Sequence, residues 1–132
     1  MATIFSKIIA GEIPCHKVAE NEDYFAFLDI QPIRMGHVLV IPKKETDYLF
    51  DLEDEELSGL LVFAKSVAKA IKEVYPCKKV GVTVIGLEVP HAHVHLLPMN
   101  QLHDMDFTKE KLKPSQEELA ESARLLSSAF IG

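Results

Sequence analysis

The chain contains no tryptophan and only two cysteines, Cys15 and Cys77, which form no Cys-x-x-Cys pair. Two isolated thiols argue against both a disulfide-stapled fold and a thiolate metal site. Positive charge is also scarce. Fourteen Lys and Arg stand against 20 Asp and Glu, for a formal net charge of −6. Long nucleic acid needs a basic face, so DNA or RNA is not an expected partner. A mononucleotide remains open, because a few local donors suffice for one phosphate. No apolar run approaches the roughly 20 residues of a membrane span, and the amino terminus lacks a basic region followed by an apolar stretch of about 7–15 residues. These absences predict a cytoplasmic protein with no membrane partner. What is present is 48% apolar residues in a chain of 132, enough for a core without staples.

The apolar pattern sets out the elements in order. Residues 4–10 suit one or two helical turns, with Ile4 and Ile8 on one face, ended by Gly11 and Pro14. Residues 16–20 and 24–29 read as a hairpin around a polar turn at 20–23. Residues 37–42 are nearly all apolar, as in a central strand buried on both faces. The clearest helix is 54–75, where Leu57, Leu60, Leu61, Ala64, Val67, Ala68, Ile71 and Val74 recur at three- and four-residue spacing. Acidic residues crowd its first turn, where the helix dipole favours them, and Pro76 stops it. Residues 80–85 form the next strand. After an expected exposed loop at 103–107, a second helix follows over 115–130, with Ser115 and Glu118 as a capping box. The expected fold class is α+β: an antiparallel sheet of about five strands, one long helix packed on it, and a C-terminal helix. The expected organisation is a single domain over 1–132, with a body to about residue 100 and a helical extension from about 101. That extension closes the core or lies across a dimer interface.

Residues 91–98, His-Ala-His-Val-His-Leu-Leu-Pro, place His91, His93 and His95 at alternate positions. On a strand all three project from one face, with Ala92, Val94 and Leu96 on the other. Three readings fit: a solvated strand face, a metal site made of imidazoles, and a phosphate-handling site with one nucleophilic imidazole between two others.

This segment resembles the His-x-His-x-His-x-x motif of the histidine triad (HIT) superfamily. Residues 3–14 and 24–44 resemble the first segments of its Hint branch, so the resemblance covers about residues 1–100. It implies a HIT-like fold and a nucleotide hydrolase or nucleotidyl transferase acting on purine mononucleotide derivatives, with no cofactor. It implies His93 as nucleophile, His91 and His95 flanking the phosphate, and His37 behind them. It implies Asp29 at the ribose hydroxyls, and Phe5, Ile8, Phe27, Leu28 and Ile30 around the base. It also implies a homodimer in which the sheets join edge to edge, with the long helices at the interface. A neutral imidazole is a good nucleophile near pH 7 when one nitrogen is pinned as a donor and the other is free. For His93 the expectation is Nδ1–H bonded to a nearby backbone carbonyl. Some bacterial relatives carry zinc on paired amino-terminal cysteines. Ile4-Phe5-Ser6-Lys7 has none, so no metal is expected. The chain departs from the pattern just before the triad, where Leu87 replaces an amide and Glu88 a hydroxyl residue. Glu88 is a candidate contact for the leaving group. Its charge also fits a second class, a purine-nucleotide sensor without turnover.

Overall fold

The computed structural model describes residues 3–132. The chain opens with helix α1 (Ile4–Ile9), capped by the Thr3 side chain, which accepts from the Ser6 amide. Strands β1 (Lys17–Glu20), β2 (Tyr24–Leu28) and β3 (Val38–Pro42) follow, then the long helix α2 (Asp54–Val74). Strand β4 (Lys79–Thr83) and strand β5 (Val94–Met99) complete the sheet, and α3 (Gln116–Ala129) closes the chain. The sheet order is β1-β2-β3-β5-β4 with every neighbour antiparallel. The α+β fold class with five strands is as expected.

Alternation along the strands divides the sheet into two faces. Val18, Tyr24, Ala26, Leu28, Val38, Val40, Val94 and Leu96 pack beneath Leu60, Phe63, Val67 and Ile71 of α2 and Leu119 and Leu126 of α3. The opposite face carries Phe25, Phe27, Leu39 and Ile41 and is covered by Phe5, Ile8 and Ile9 of α1. β3 is buried at all five positions because it sits mid-sheet between these layers. α3 begins with the expected capping box, Ser115 accepting from the Glu118 amide while the Glu118 carboxylate accepts from the Ser115 amide. Among the described residues no helix is long and apolar enough to cross a membrane.

Gly36 opens the path into β3 with φ +93°, and a Cβ there would lie 2.9 Å from the Tyr75 ring. Only glycine fits that turn, and it delivers His37 to the strand start.

Two expectations need correction. The triad does not lie wholly on a strand. β5 begins at Val94, whose partner is Val40, so His91 and His93 belong to the turn that enters it. The segment 103–107 is not uniformly exposed: Asp104 is buried, and the Phe107 ring packs against His95 with centroids 4.8 Å apart. Asp104 accepts from the Asn100 and Gln101 amides and from Arg34 at 2.9 Å, which anchors the tail to the body.

Candidate active site

The turn that enters β5 is fixed by backbone bonds, with the Ala92 amide donating to the Thr46 carbonyl at 2.7 Å. His91 is fully buried. Its Nε2 faces the Pro42 carbonyl at 2.8 Å, which can only accept, so Nε2 carries the proton. Its Nδ1 then accepts from the Thr3 hydroxyl at 3.0 Å. Thr3 is backed by Glu45, which takes the Thr3 amide at 3.1 Å and the Ser6 hydroxyl. Burial lowers the His91 pKa and keeps the ring neutral.

His93 sits next, with Nδ1 2.8 Å from the carbonyl oxygen of His91. A carbonyl forces the proton onto Nδ1 and leaves a lone pair on Nε2. The ring is wedged edge-on between Phe5 and His95, each with its centroid 4.9 Å away. Burial thus holds the ring while a backbone oxygen selects its tautomer.

A second chain of bonds fixes His95. The Ile33 amide donates to Nδ1 of His37 at 3.3 Å, which places the His37 proton on Nε2. That Nε2–H points at Nδ1 of His95, 2.9 Å away. His95 therefore carries its proton on Nε2. Burial lowers the His95 pKa to about 3, with the neighbouring His37, His93 and Lys111 adding to the effect. Burial also lowers the His37 pKa, against the opposing pull of Asp29. Both rings are neutral near pH 7, and His95 is a donor rather than a cation.

His93 and His95 open onto a cavity of about 410 Å³ lined also by Asp29, Gln31, His37, Ile85, Gly86, Leu87, Glu88, Phe107 and Lys111. Asp29 Oδ2 lies 3.8 Å from His37 Nε2. Asp29, His37 and His95 hold one carboxylate oxygen and two ring nitrogens within 4.8 Å of one another. The Ile33 amide keeps a proton on His37 Nε2, which is hydrogen-bonded to His95, while Asp29 stands beyond hydrogen-bond distance, so the three are not three free ligands.

An imidazole pinned by its own backbone thus opens on the cavity of a five-stranded antiparallel sheet. The family model described as HIT domain matches residues 10–102. The chain belongs to the HIT family. It is 44% identical over 98 residues to the adenosine 5′-monophosphoramidase HNT1 of Saccharomyces cerevisiae, covering 74% of this chain and 62% of the yeast protein. It is 41% identical over 99 residues to the adenosine 5′-monophosphoramidase hnt1 of Schizosaccharomyces pombe, covering 74% of each. The chain thus spans less than two thirds of the length of the Saccharomyces cerevisiae relative. The crystal structure of a Hit-like protein from Bartonella henselae superposes with a TM-score of 0.84 at 32% identity, over 97% of this chain and 96% of that one.

In this HIT protein the residues named from sequence fall into distinct places. His93, His95, His37, Asp29 and Glu88 gather at the cavity. His91 does not: both its ring nitrogens are engaged away from the cavity, and its carbonyl accepts from His93 Nδ1. Phe5 and Phe27 stack edge to face at 5.5 Å in the buried layer under His93, and Ile8 packs against that layer. Leu28 points to the opposite face of the sheet, into the core beneath α2. Adjacent strand residues face opposite ways, so Phe27 and Leu28 never share a wall. Ile30 is 59% exposed and outside the cavity lining. Sequence reasoning missed Thr3, Phe107 and Lys111. Phe107, the one aromatic of residues 101–107, was the visible signal.

Proposed function

We propose that the chain is a nucleotide hydrolase or nucleotidyl transferase acting on purine mononucleotide derivatives with P–N or related bonds, through a nucleotidyl-His93 intermediate. The observation that carries this reading is the 2.8 Å bond from His93 Nδ1 to the His91 carbonyl, which leaves Nε2 free beside the cavity. In the first step Nε2 attacks phosphorus, the P–N bond breaks, and the amine leaves with a proton taken from solvent. In the second, water attacks the same phosphorus and the P–Nε2 bond breaks. The nucleoside monophosphate departs and His93 returns to its starting tautomer. His95 Nε2–H donates to a non-bridging oxygen as charge builds on it, a preorganised donor of the kind that contributes about 10²–10³ in rate. Asp29 on the cavity wall takes the ribose hydroxyls. The names of the two yeast relatives support the phosphoramidate class.

The proposed assembly is a homodimer in the cytoplasm. β4 is an edge strand, and Val82, Val84 and Ile85 are exposed on and just beyond it, a surface that a second copy would cover. The proposed organisation is a single domain over 1–132, with the tail as its extension.

The test is turnover of adenosine 5′-phosphoramidate by wild type and His93→Ala, with intact mass after acid quench. AMP release and an adenylyl adduct confined to wild type support the reading. AMP binding with no turnover by wild type refutes it in favour of a nucleotide sensor, which the Glu88 carboxylate on the cavity wall favours. Glu88→Ser is then the variant that asks whether the carboxylate suppresses turnover.

A further inference from the structure

The cavity that His93 faces has an unusual charge balance for a site proposed to take a nucleotide. Two carboxylates line it, Asp29 and Glu88. His37 and His95 are hydrogen-bonded as neutral rings, and His91 is turned away. The one lysine or arginine among its lining residues is Lys111, which comes from the tail.

Lys111 is held in place from two directions. Its Nζ donates to the Phe107 carbonyl at 2.9 Å and lies 5.6 Å from the centre of the Phe107 ring. The next residue, Leu112, is tied to the body by its amide, which donates to the Pro32 carbonyl at 2.8 Å. Phe107 in turn rests edge-on against His95, and its ring centre is 6.1 Å from that of His37. Among the described residues Lys111 forms no ion pair with a carboxylate. An ammonium has three donors, and one is spent on Phe107. A half-buried cation, braced by an aromatic ring and unpaired, faces the cavity beside the two histidines that open on it.

We infer that Lys111 is an anion-holding residue of this site, which binds the phosphoryl group of a nucleoside 5′-monophosphate or its amidate. The inference rests on the nucleotide reading above and names the residue that makes an acidic cavity accept an anion. Where the Hint pattern has an amide and a hydroxyl residue before the triad, this chain has Leu87 and Glu88, and neither donates to a phosphate. Lys111 also lowers the pKa of His95 and His37, in keeping with a positive charge close to both rings.

The test is isothermal titration of AMP and of adenosine into wild type, Lys111→Met and Lys111→Arg, each checked for an unchanged thermal midpoint. Methionine keeps the apolar stem over Phe107 and deletes the charge. Loss of one charge-assisted hydrogen bond predicts AMP affinity about 10- to 100-fold weaker in Lys111→Met, with adenosine affinity unchanged. Arginine is expected to retain AMP binding within about threefold. AMP affinity unchanged in Lys111→Met overturns the role of Lys111 and leaves the nucleotide reading standing. Equal losses for AMP and adenosine overturn it too, since they mark a wall and not an anion contact. Failure of wild type to bind either ligand overturns the nucleotide reading, and this inference falls with it.

Discussion

Mild acid is expected to destabilise this protein through His95. The ring is 8% exposed, and its pKa falls from about 6.5 to about 3 because burial disfavours the imidazolium. The unfolded chain binds a proton that the folded chain refuses, so stability rises with pH across that window and is lost as pH falls through it. The contribution is fully present above about pH 6.5 and is gone near pH 3. Between pH 7 and pH 5 the unfolded-state imidazole becomes almost fully protonated while His95 stays neutral. At about 1.4 kcal/mol per unit, the loss over that interval is about 2 kcal/mol from His95 alone. His37 and His91 shift in the same direction and add to it. Hydrogen bonds hold the carboxylates Glu20, Glu45, Asp104, Asp106 and Glu121 below their ordinary range, and their contribution is common to wild type and a His95 variant. Guanidinium unfolding of wild type and His95→Gln at pH 7, 6 and 5 isolates the term. The variant is expected to lose about 2 kcal/mol less than wild type on going from pH 7 to pH 5. Parallel losses in the two proteins would refute the reasoning, because a ring already protonated when folded has no penalty to give up.

Two further outcomes follow from the hydrogen-bond chains. His37→Ala removes the donor to Nδ1 of His95, freeing His95 to place its proton there, and kcat/KM is expected to fall about 10- to 100-fold. Nitrogen-15 NMR reads the His95 tautomer directly, and an unchanged Nε2–H signal in the variant contradicts this account. Asp104→Ala removes the acceptor that ties Arg34 and two backbone amides to the tail. Faster amide exchange across residues 100–112 with little change in β3 is the expected result, and uniform exchange would show that the anchor is elsewhere.

What the sequence revealed and what it hid divide along contact range. The i, i+3, i+4 stripe of α2 and the unbroken apolar run of β3 are local patterns, and each became the element it implied. The acceptor for His93 was also within reach, since His91 is two residues away. The fate of His91 itself was not. Its two nitrogens are taken by Thr3, 88 residues distant, and by Pro42, 49 residues distant. The start of β5 was hidden for a similar reason: alternation continues back to His91, but the Pro42 carbonyl is taken by the His91 ring and the Ala92 amide by the Thr46 carbonyl, so pairing with β3 stops at Val94. Lys111 and Phe107 lie in a segment without periodicity, and only folding brings them to His95.

The chain of bonds from Ile33 through His37 to His95 has a consequence for proton traffic. It starts at a backbone amide, and each ring passes forward one fixed polarity. An amide has no proton to surrender, so the chain is a dead end and not a conduit. If His95 released its Nε2 proton outright, nothing behind it would supply another without leaving a ring anionic in a buried site. In the proposed reaction His95 would therefore polarise a phosphoryl oxygen without feeding the leaving group. The proton that a departing amine would need in that reaction would have to enter from the open side of the cavity, where the exposed Glu88 meets solvent.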